Sequence, residues 1–402
     1  MKILMLTPYV PYPPSSGGQI RTYNLLKYLS KKHEITLVAL YKKSSEKKYY
    51  EHLKRYCKNI YLCRRPRKPW QFDIIAKTAF SFLPFLIVRN FSSEAKKVVA
   101  DLLKTNKFDV IHAETFYIMP HIPKTNIPIL LVEQTIEYEV YRHYINSLFP
   151  FIRAIFSVDI MKLKKWERHF WRKATLVATV SKADQKNIKK LEPYIKTVII
   201  PNGAGDEMFV KKLALKNLEK PLILFQGNFY WLQNVEAANF LINKIYPKLL
   251  KVLPNVKIIV SGQNATKIKS LRQKNLQVVD IDSDDIDTVK KQYHKASLFI
   301  APIYGPGGTR LKILAAMASG VPIVSTKIGL EGLGIKDNYH ALIANDADEF
   351  VNKIVFILNN NQKYEQIRKN AYFLAKKNYS WSNIAHKLEI VYKNIKNYED
   401  RD

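Results

Sequence analysis

The chain has 402 residues, 47% of them hydrophobic and 12% aromatic, which argues against a disordered chain and predicts two domains of ~200 residues each. Its 65 Lys+Arg against 34 Asp+Glu give a formal charge of +31 and point to an anionic partner, either nucleic acid or an anionic membrane surface. Two cysteines, Cys57 and Cys63, fit a reduced cytosolic protein better than a disulfide scaffold, and cannot by themselves make a zinc site.

The opening MKILMLTPYV has an apolar run too short for a signal peptide, and it meets prolines at once. It reads as a buried strand. A proline-rich loop then leads to Gly17 and Gly18, QIRTYNLLKYLSKK is helical, and EITLVAL is the next strand. Residues 41–70 carry eleven basic and two acidic side chains, against which the plain alternative is a lysine-rich solvated surface. The most membrane-like stretch, 74–88, is shorter than the ~20 residues of a span and contains Lys77 and Pro84, so no transmembrane helix is expected. Strands are predicted at 59–63, 108–113, 127–133, 175–180 and 196–201, and Ser181 with Asp184 reads as a capping box.

The polar segment 201–220 lacks strong periodicity and is expected to link two halves, 1–200 and 221–380. After it the strand–helix alternation restarts with PLILFQG, and later strands are NVKIIVSG, LQVVD, SLFIAP and VPIVST. The fold class is therefore α/β, two Rossmann-like doubly wound domains, with ligands at the carboxyl ends of their strands and in a deep cleft between them. Charge is concentrated in the first half, where 36 Lys+Arg face 15 Asp+Glu, a net of +21.

No G-x-S-x-G, H-E-x-x-H or Walker motif occurs, and the first turn reads SSGGQIR rather than G-x-G-x-x-G, which counts against a dehydrogenase. The acidic run 280–287 lacks the glycine and glutamate of a calcium loop and reads as a solvated loop with helix-capping Asp. The chemistry is expected at strand-end loops. In SLFIAPIYGPGGTRLKILAAMASG a buried strand runs through glycines into a helix starting near Thr309, and helix N-termini favour phosphate. Arg310 and Lys312 add full charges that can balance a departing diphosphate. GGQIR repeats this logic in the first half, and Gly227 with Asn228 forms a third loop that permits close approach. His112 and Glu114 end the strand FDVIHA, where either could orient a sugar or carry a proton. On spacing alone, a tight turn with two surface cations and a structural histidine remain open.

The segment APIYGPGGTRLKILAAMASGVPIVSTKIGLEGL resembles the donor-site segment of family 4 (group 1) glycosyltransferases, in the branch with a GGTRLKILEAMA signature. PYPPSSGGQIRTYNLLKYLSKKHEITLV, VEQTIEYEVYRHY, VATVSKADQKNI, VIIPNGAGDEMF and LFQGNFYWLQNVEAANF follow in the family's order. The resemblance implies a GT-B fold, with residues 381–402 forming a last helix that returns to the first domain. It implies a retaining transferase, needing no metal or other cofactor, that moves a sugar from a nucleotide-diphosphate donor to a glycan or lipid-linked acceptor in cell-surface polysaccharide or glycolipid synthesis. The first domain would be acceptor-side and the second would hold the nucleotide. Arg310 and Lys312 stand where this branch binds diphosphate, and Gly307, Gly308 and Thr309 form the loop above the donor. Gly17 and Gly18, with Arg21, face it from the first domain, and Glu331 lies where the family contacts donor. His112 matches the first histidine of a VIHAH pattern, and Glu114 replaces the second, which places both among the catalytic residues. Ala315 replaces a glutamate that commonly grips the ribose, so the alternative is a non-catalytic GT-B scaffold in a glycan-assembly complex. The expected location is cytoplasmic, peripheral on the inner face of the membrane through the basic first domain. Nucleic acid is not an expected partner, because no RNA- or DNA-binding motif accompanies the basic segment.

Overall fold

The computed structural model describes residues 1–66, 68, 71–146, 149–268, 275–305 and 310–398. They fall into two compact units, one of Met1–Pro201 with Ile384–Asp402 and one of Asn202–Asn383. The first unit holds a seven-stranded parallel sheet: β1 (Lys2–Thr7), β2 (Glu34–Tyr41), β3 (Asn59–Arg64), β4 (Val110–Glu114), β5 (Ile129–Glu133), β6 (Leu176–Thr179) and β7 (Thr197–Ile199). Their order is β3-β2-β1-β4-β5-β6-β7. The central strands β4 and β5 are buried at every residue, which is why they read as unbroken apolar runs rather than alternating ones. In register, Met5 of β1 lies beside His112 of β4, which in turn lies beside Leu130 of β5.

The second unit repeats the plan with six parallel strands: β8 (Leu222–Gln226), β9 (Lys257–Gly262), β10 (Leu276–Asp280), β11 (Leu298–Ala301), β12 (Ile323–Ser325) and β13 (Leu342–Ile343). Their order is β10-β9-β8-β11-β12-β13. In both sheets the first strand lies inside and the order reverses beside it, between β1 and β4 and between β8 and β11. Each reversal opens a crevice at the carboxyl ends of the two strands. Both units are thus Rossmann-like. The ends of β8 and β9 approach so closely that a Cβ on Gly262, whose φ is +135°, would lie 1.9 Å from the Gly227 carbonyl oxygen.

Residues 202–220, predicted to be a linker, belong to the second unit. Ala204 and Met208 are buried in its core, and the Ala204 N–H donates to the Tyr379 carbonyl at 2.9 Å. The segment is polar on average but pinned at these apolar points. The helix Trp381–Asn394 begins in the second unit and ends in the first, where Tyr392 is buried and Glu389 pairs with Lys32 at 3.0 Å. Asp285 caps the helix Ile286–Lys295 by accepting from the Thr288 N–H at 3.0 Å, the capping role expected of the acidic run.

Candidate active site

In the second unit, the switch between β8 and β11 is lined by the loop after β8 and the start of the helix Leu311–Ala318. Lys312 is largely buried there. Its Nζ donates to Asn234 Oδ1 at 2.6 Å and lies 5.0 Å from the centroid of the Phe225 ring. Asn234 is held in turn by its Nδ2, which donates to the Asn228 carbonyl at 2.7 Å. That bond turns its oxygen toward the lysine. The approach needs Gly227, because a Cβ there would lie 3.0 Å from Lys312 Nζ and 3.1 Å from Asn234 Cγ. Asn228 closes the loop, accepting the Tyr230 N–H at 2.9 Å and donating to Gln263 Oε1 at 2.8 Å.

No carboxylate among the described residues is paired with Lys312. Burial, reinforced by the Arg310 guanidinium, pushes its pKa down from the usual lysine range to about 7. Arg310 precedes the helix, and its Nη2 donates to the Gly305 carbonyl at 2.6 Å. Two cations therefore converge at a helix N-terminus, an arrangement suited to an incoming anion. Gly307, Gly308 and Thr309 lie outside the described residues. Ala315, one helical turn beyond Lys312, is almost buried in the core and offers only a methyl group. Glu331 is exposed beyond the carboxyl end of β12, the strand beside β11. Among the described residues no group of His, Cys, Asp and Glu is placed to hold a metal ion.

The corresponding switch of the first unit is filled by its own side chains. Arg21, expected to face a donor phosphate, is fully buried. It donates to the Ile200 and Pro201 carbonyls, both at 3.1 Å, and pairs with Glu114 at 3.4 Å. Glu114 also accepts from Gln134 Nε2 at 2.6 Å and meets His112 Nε2 at 3.0 Å. His112 Nδ1 meets the Tyr392 hydroxyl. Both ring nitrogens are thus engaged and neither residue is exposed, whereas the sequence suggests that either could orient a sugar or carry a proton at the strand end. The cause is topological: β4 lies between β1 and β5, so positions 112 and 114 share one buried face. Burial works to raise the Glu114 carboxyl, but Arg21 and His112 outweigh it and hold it below the ordinary range. Gly17 and Gly18 open a helix capped by Ser16 and Gln19, and a Cβ on Gly18 would lie 2.5 Å from the Tyr9 hydroxyl. That hydroxyl receives Gln134 Nε2 at 3.1 Å. Gly18 therefore makes room for a protein ring.

The sequence is matched by two family models, Glycosyltransferase Family 4 over residues 15–207 and Glycosyl transferases group 1 over residues 220–360. Together they account for most of the chain. It is a family 4, group 1 glycosyltransferase. The cationic site of this glycosyltransferase lies wholly inside the second matched segment, and the His112 network inside the first except for Tyr392. An uncharacterized 44.6 kDa protein in a cps region of Klebsiella pneumoniae is 24% identical over 391 residues, spanning 94% of this chain and 96% of its own. An uncharacterized glycosyltransferase of Methanocaldococcus jannaschii is 23% identical, spanning 98% and 99%. Sucrose-phosphate synthase from Thermosynechococcus elongatus has a similar fold, with a TM-score of 0.68 at 15% identity over 99% of both chains. Anabaena HepE in complex with UDP gives 0.65 at 15% identity, over 98% of this chain and all of its own. The fold class is GT-B.

Asn234, Tyr392, Gln134 and Tyr9 were not singled out from sequence. For Asn234 a signal existed: it opens the helix after the glycine loop, the position from which a side chain reaches back to a strand end.

Proposed function

We propose that this glycosyltransferase moves a sugar, with retention at the anomeric carbon, from a nucleotide-diphosphate donor to a glycan or lipid-linked acceptor of the cell surface. The observation that carries the reading is Lys312, a buried ammonium beside Arg310 with an amide, rather than a carboxylate, as its protein partner. As the bond between the anomeric carbon and the β-phosphate oxygen breaks, its electron pair passes to that oxygen. Lys312 and Arg310 offset the charge that develops there. The acceptor oxygen forms its bond on the same face of the sugar, and its proton leaves with the diphosphate. This scheme requires no metal, since the two cations serve the leaving group. The nucleotide belongs to the second unit, and the acceptor to the first, whose net charge of +21 suits an acceptor on an anionic leaflet at the cytoplasmic face. HepE, a structural neighbour, has been crystallised with UDP-glucose, which supports a nucleotide sugar as donor.

The test is turnover of UDP-, GDP- and ADP-sugars by the purified protein. Neither transfer nor hydrolysis of any of them removes the proposal. Lys312→Ala should lower kcat by about 100- to 1,000-fold, the cost of one lost oxyanion donor.

One observation favours a second reading, a glycan-assembly partner without turnover. Ala315 brings no carboxylate to the ribose side of the site, at a cost of ~2–4 kcal/mol in donor binding if nothing replaces it. Ala315→Glu, assayed for turnover and for UDP binding, separates the two: turnover by the wild type removes the second reading, and tight UDP binding or turnover gained only in the variant supports it.

A further inference from the structure

The segment 72–82 turns its apolar side chains outward. Of the nine residues in the helix Phe72–Phe80, only Ile74 is buried. Phe72 is 87% exposed and Phe80 93%, and Phe82 in the following turn is 88% exposed. Looseness of the backbone does not explain this, because polar groups of the helix Pro150–Lys173 pin it. Lys162 Nζ donates to the Thr78 and Ser81 carbonyls, both at 2.7 Å, and Trp166 Nε1 donates to the Phe82 carbonyl at 2.8 Å. Asp159 accepts the Phe85 N–H at 2.9 Å. Asp159, Lys162 and Trp166 form one row of that helix, and Val158, Met161 and Lys165 form the exposed row beside it.

We propose that this face of the first unit docks the protein on an anionic lipid surface. Phe72, Phe80 and Phe82 enter the boundary between headgroups and acyl chains, while Lys77 and Lys165 meet the lipid phosphates. The inference rests on the membrane-borne acceptor proposed above and names the surface that reaches it. Two observations select lipid over a protein partner. The three rings stand almost fully exposed on a short element, so each can sink into a fluid phase on its own, whereas a protein would need a pocket for each. The surroundings are cationic as well. Residues 150–173 hold seven Lys+Arg against two Asp+Glu; Arg168 and Arg172 pair with Glu192 and Lys162 holds the anchored turn, while Glu167 is buried and Asp159 is bonded to that turn, which leaves the exposed balance cationic. Asp73 is the exposed acid of the short helix, one turn from Lys77.

Vesicle flotation at low salt tests the proposal, with phosphatidylglycerol–phosphatidylcholine vesicles set against pure phosphatidylcholine. The wild-type protein should float with the anionic vesicles and be released by added salt. Phe72→Ser/Phe80→Ser/Phe82→Ser should bind them at least about tenfold more weakly, because three rings no longer enter the interface. The single variants Phe80→Ser and Phe82→Ser repeat the measurement should the triple variant misfold, with each expected to weaken binding. Wild-type protein that ignores anionic vesicles, or folded variants that bind as well as wild type, would overturn the assignment. So would a wild-type dimer in light scattering that these substitutions turn into a monomer, since the face would then be a contact between copies. Turnover with a soluble acceptor is measured alongside. If it persists while flotation fails, the docking surface is wrong and the transferase reading stands.

Discussion

Lys312 has an amide as its protein partner, and burial beside Arg310 sets its titration. In the free protein its pKa is about 7, so the proton a diphosphate needs is already leaving at neutral pH. Binding of UDP should weaken by about tenfold per pH unit above that value and be accompanied by proton uptake. Calorimetry in buffers of different ionisation enthalpy measures the uptake, and pH-independent binding without it would show that Lys312 is not the ligand. Gly227→Ala should weaken UDP binding as well, because the added methyl stands 3.0 Å from the ammonium and 3.1 Å from the amide that orients it. At this scale the sequence was a partial guide. Arg310 and Lys312 could be read from a glycine loop running into a helix. His112 and Glu114 could be found but not placed, because their burial depends on the strands either side of β4 and on Tyr392, 280 positions away.

Strands were legible wherever a run of Val, Ile, Leu and Phe is buried on both faces, as in β1, β5 and β8. The two-residue β13 carries too little pattern to be seen, and it exists because β12 offers an edge. The segment 201–220 reads as a linker for a similar reason, since a few buried apolar residues anchor an otherwise polar stretch to the second unit. Packing of the helix Glu137–Asn146 on the helix Pro150–Lys173 creates another feature invisible in sequence. Glu167 accepts the N–H groups of Glu137 and Tyr138 at 2.8 and 3.0 Å, and Trp171 Nε1 donates to Glu133 at 2.8 Å. Burial, with the neighbouring carboxylates, drives Glu133 and Glu167 well above the usual range, and burial raises Glu137 to about 7. A raised folded-state pKa means the native state holds protons that the unfolded chain releases from about pH 4.3 upward. Stability from these groups is fully present below that pH and declines as pH rises toward and past 7. Glu133→Gln, which imitates the protonated form, should therefore gain on wild type as pH rises from 5 to 8 in urea titrations. A wild type that gains on the variant over that range would contradict the assignment.

Across the whole molecule, the two units invite separate readouts. A nucleotide that binds the second unit should raise its unfolding temperature, by about 2.7 kcal/mol of stabilisation at a hundredfold excess over Kd. Tyr392→Phe acts on the other unit. It removes the hydroxyl from His112 Nδ1 and should cost the first unit about 1–3 kcal/mol while leaving UDP affinity unchanged. Differential scanning calorimetry with and without UDP distinguishes the two, and a UDP affinity that fell with the Tyr392 change would contradict this independence.

The first unit is assembled from two stretches of chain, Met1–Pro201 and Ile384–Asp402, and this has a consequence for synthesis. The ribosome must make the 182 residues between them before Tyr392 and Glu389 emerge, an interval of roughly 10–40 s at ~5–20 residues per second. Through that interval the His112–Glu114–Arg21 network lacks its last partner, while the second unit, contiguous in sequence, comes out ready to close. The half that is translated first is therefore finished last, and a released chain ending before residue 384 would carry a complete second unit behind an unfinished first one.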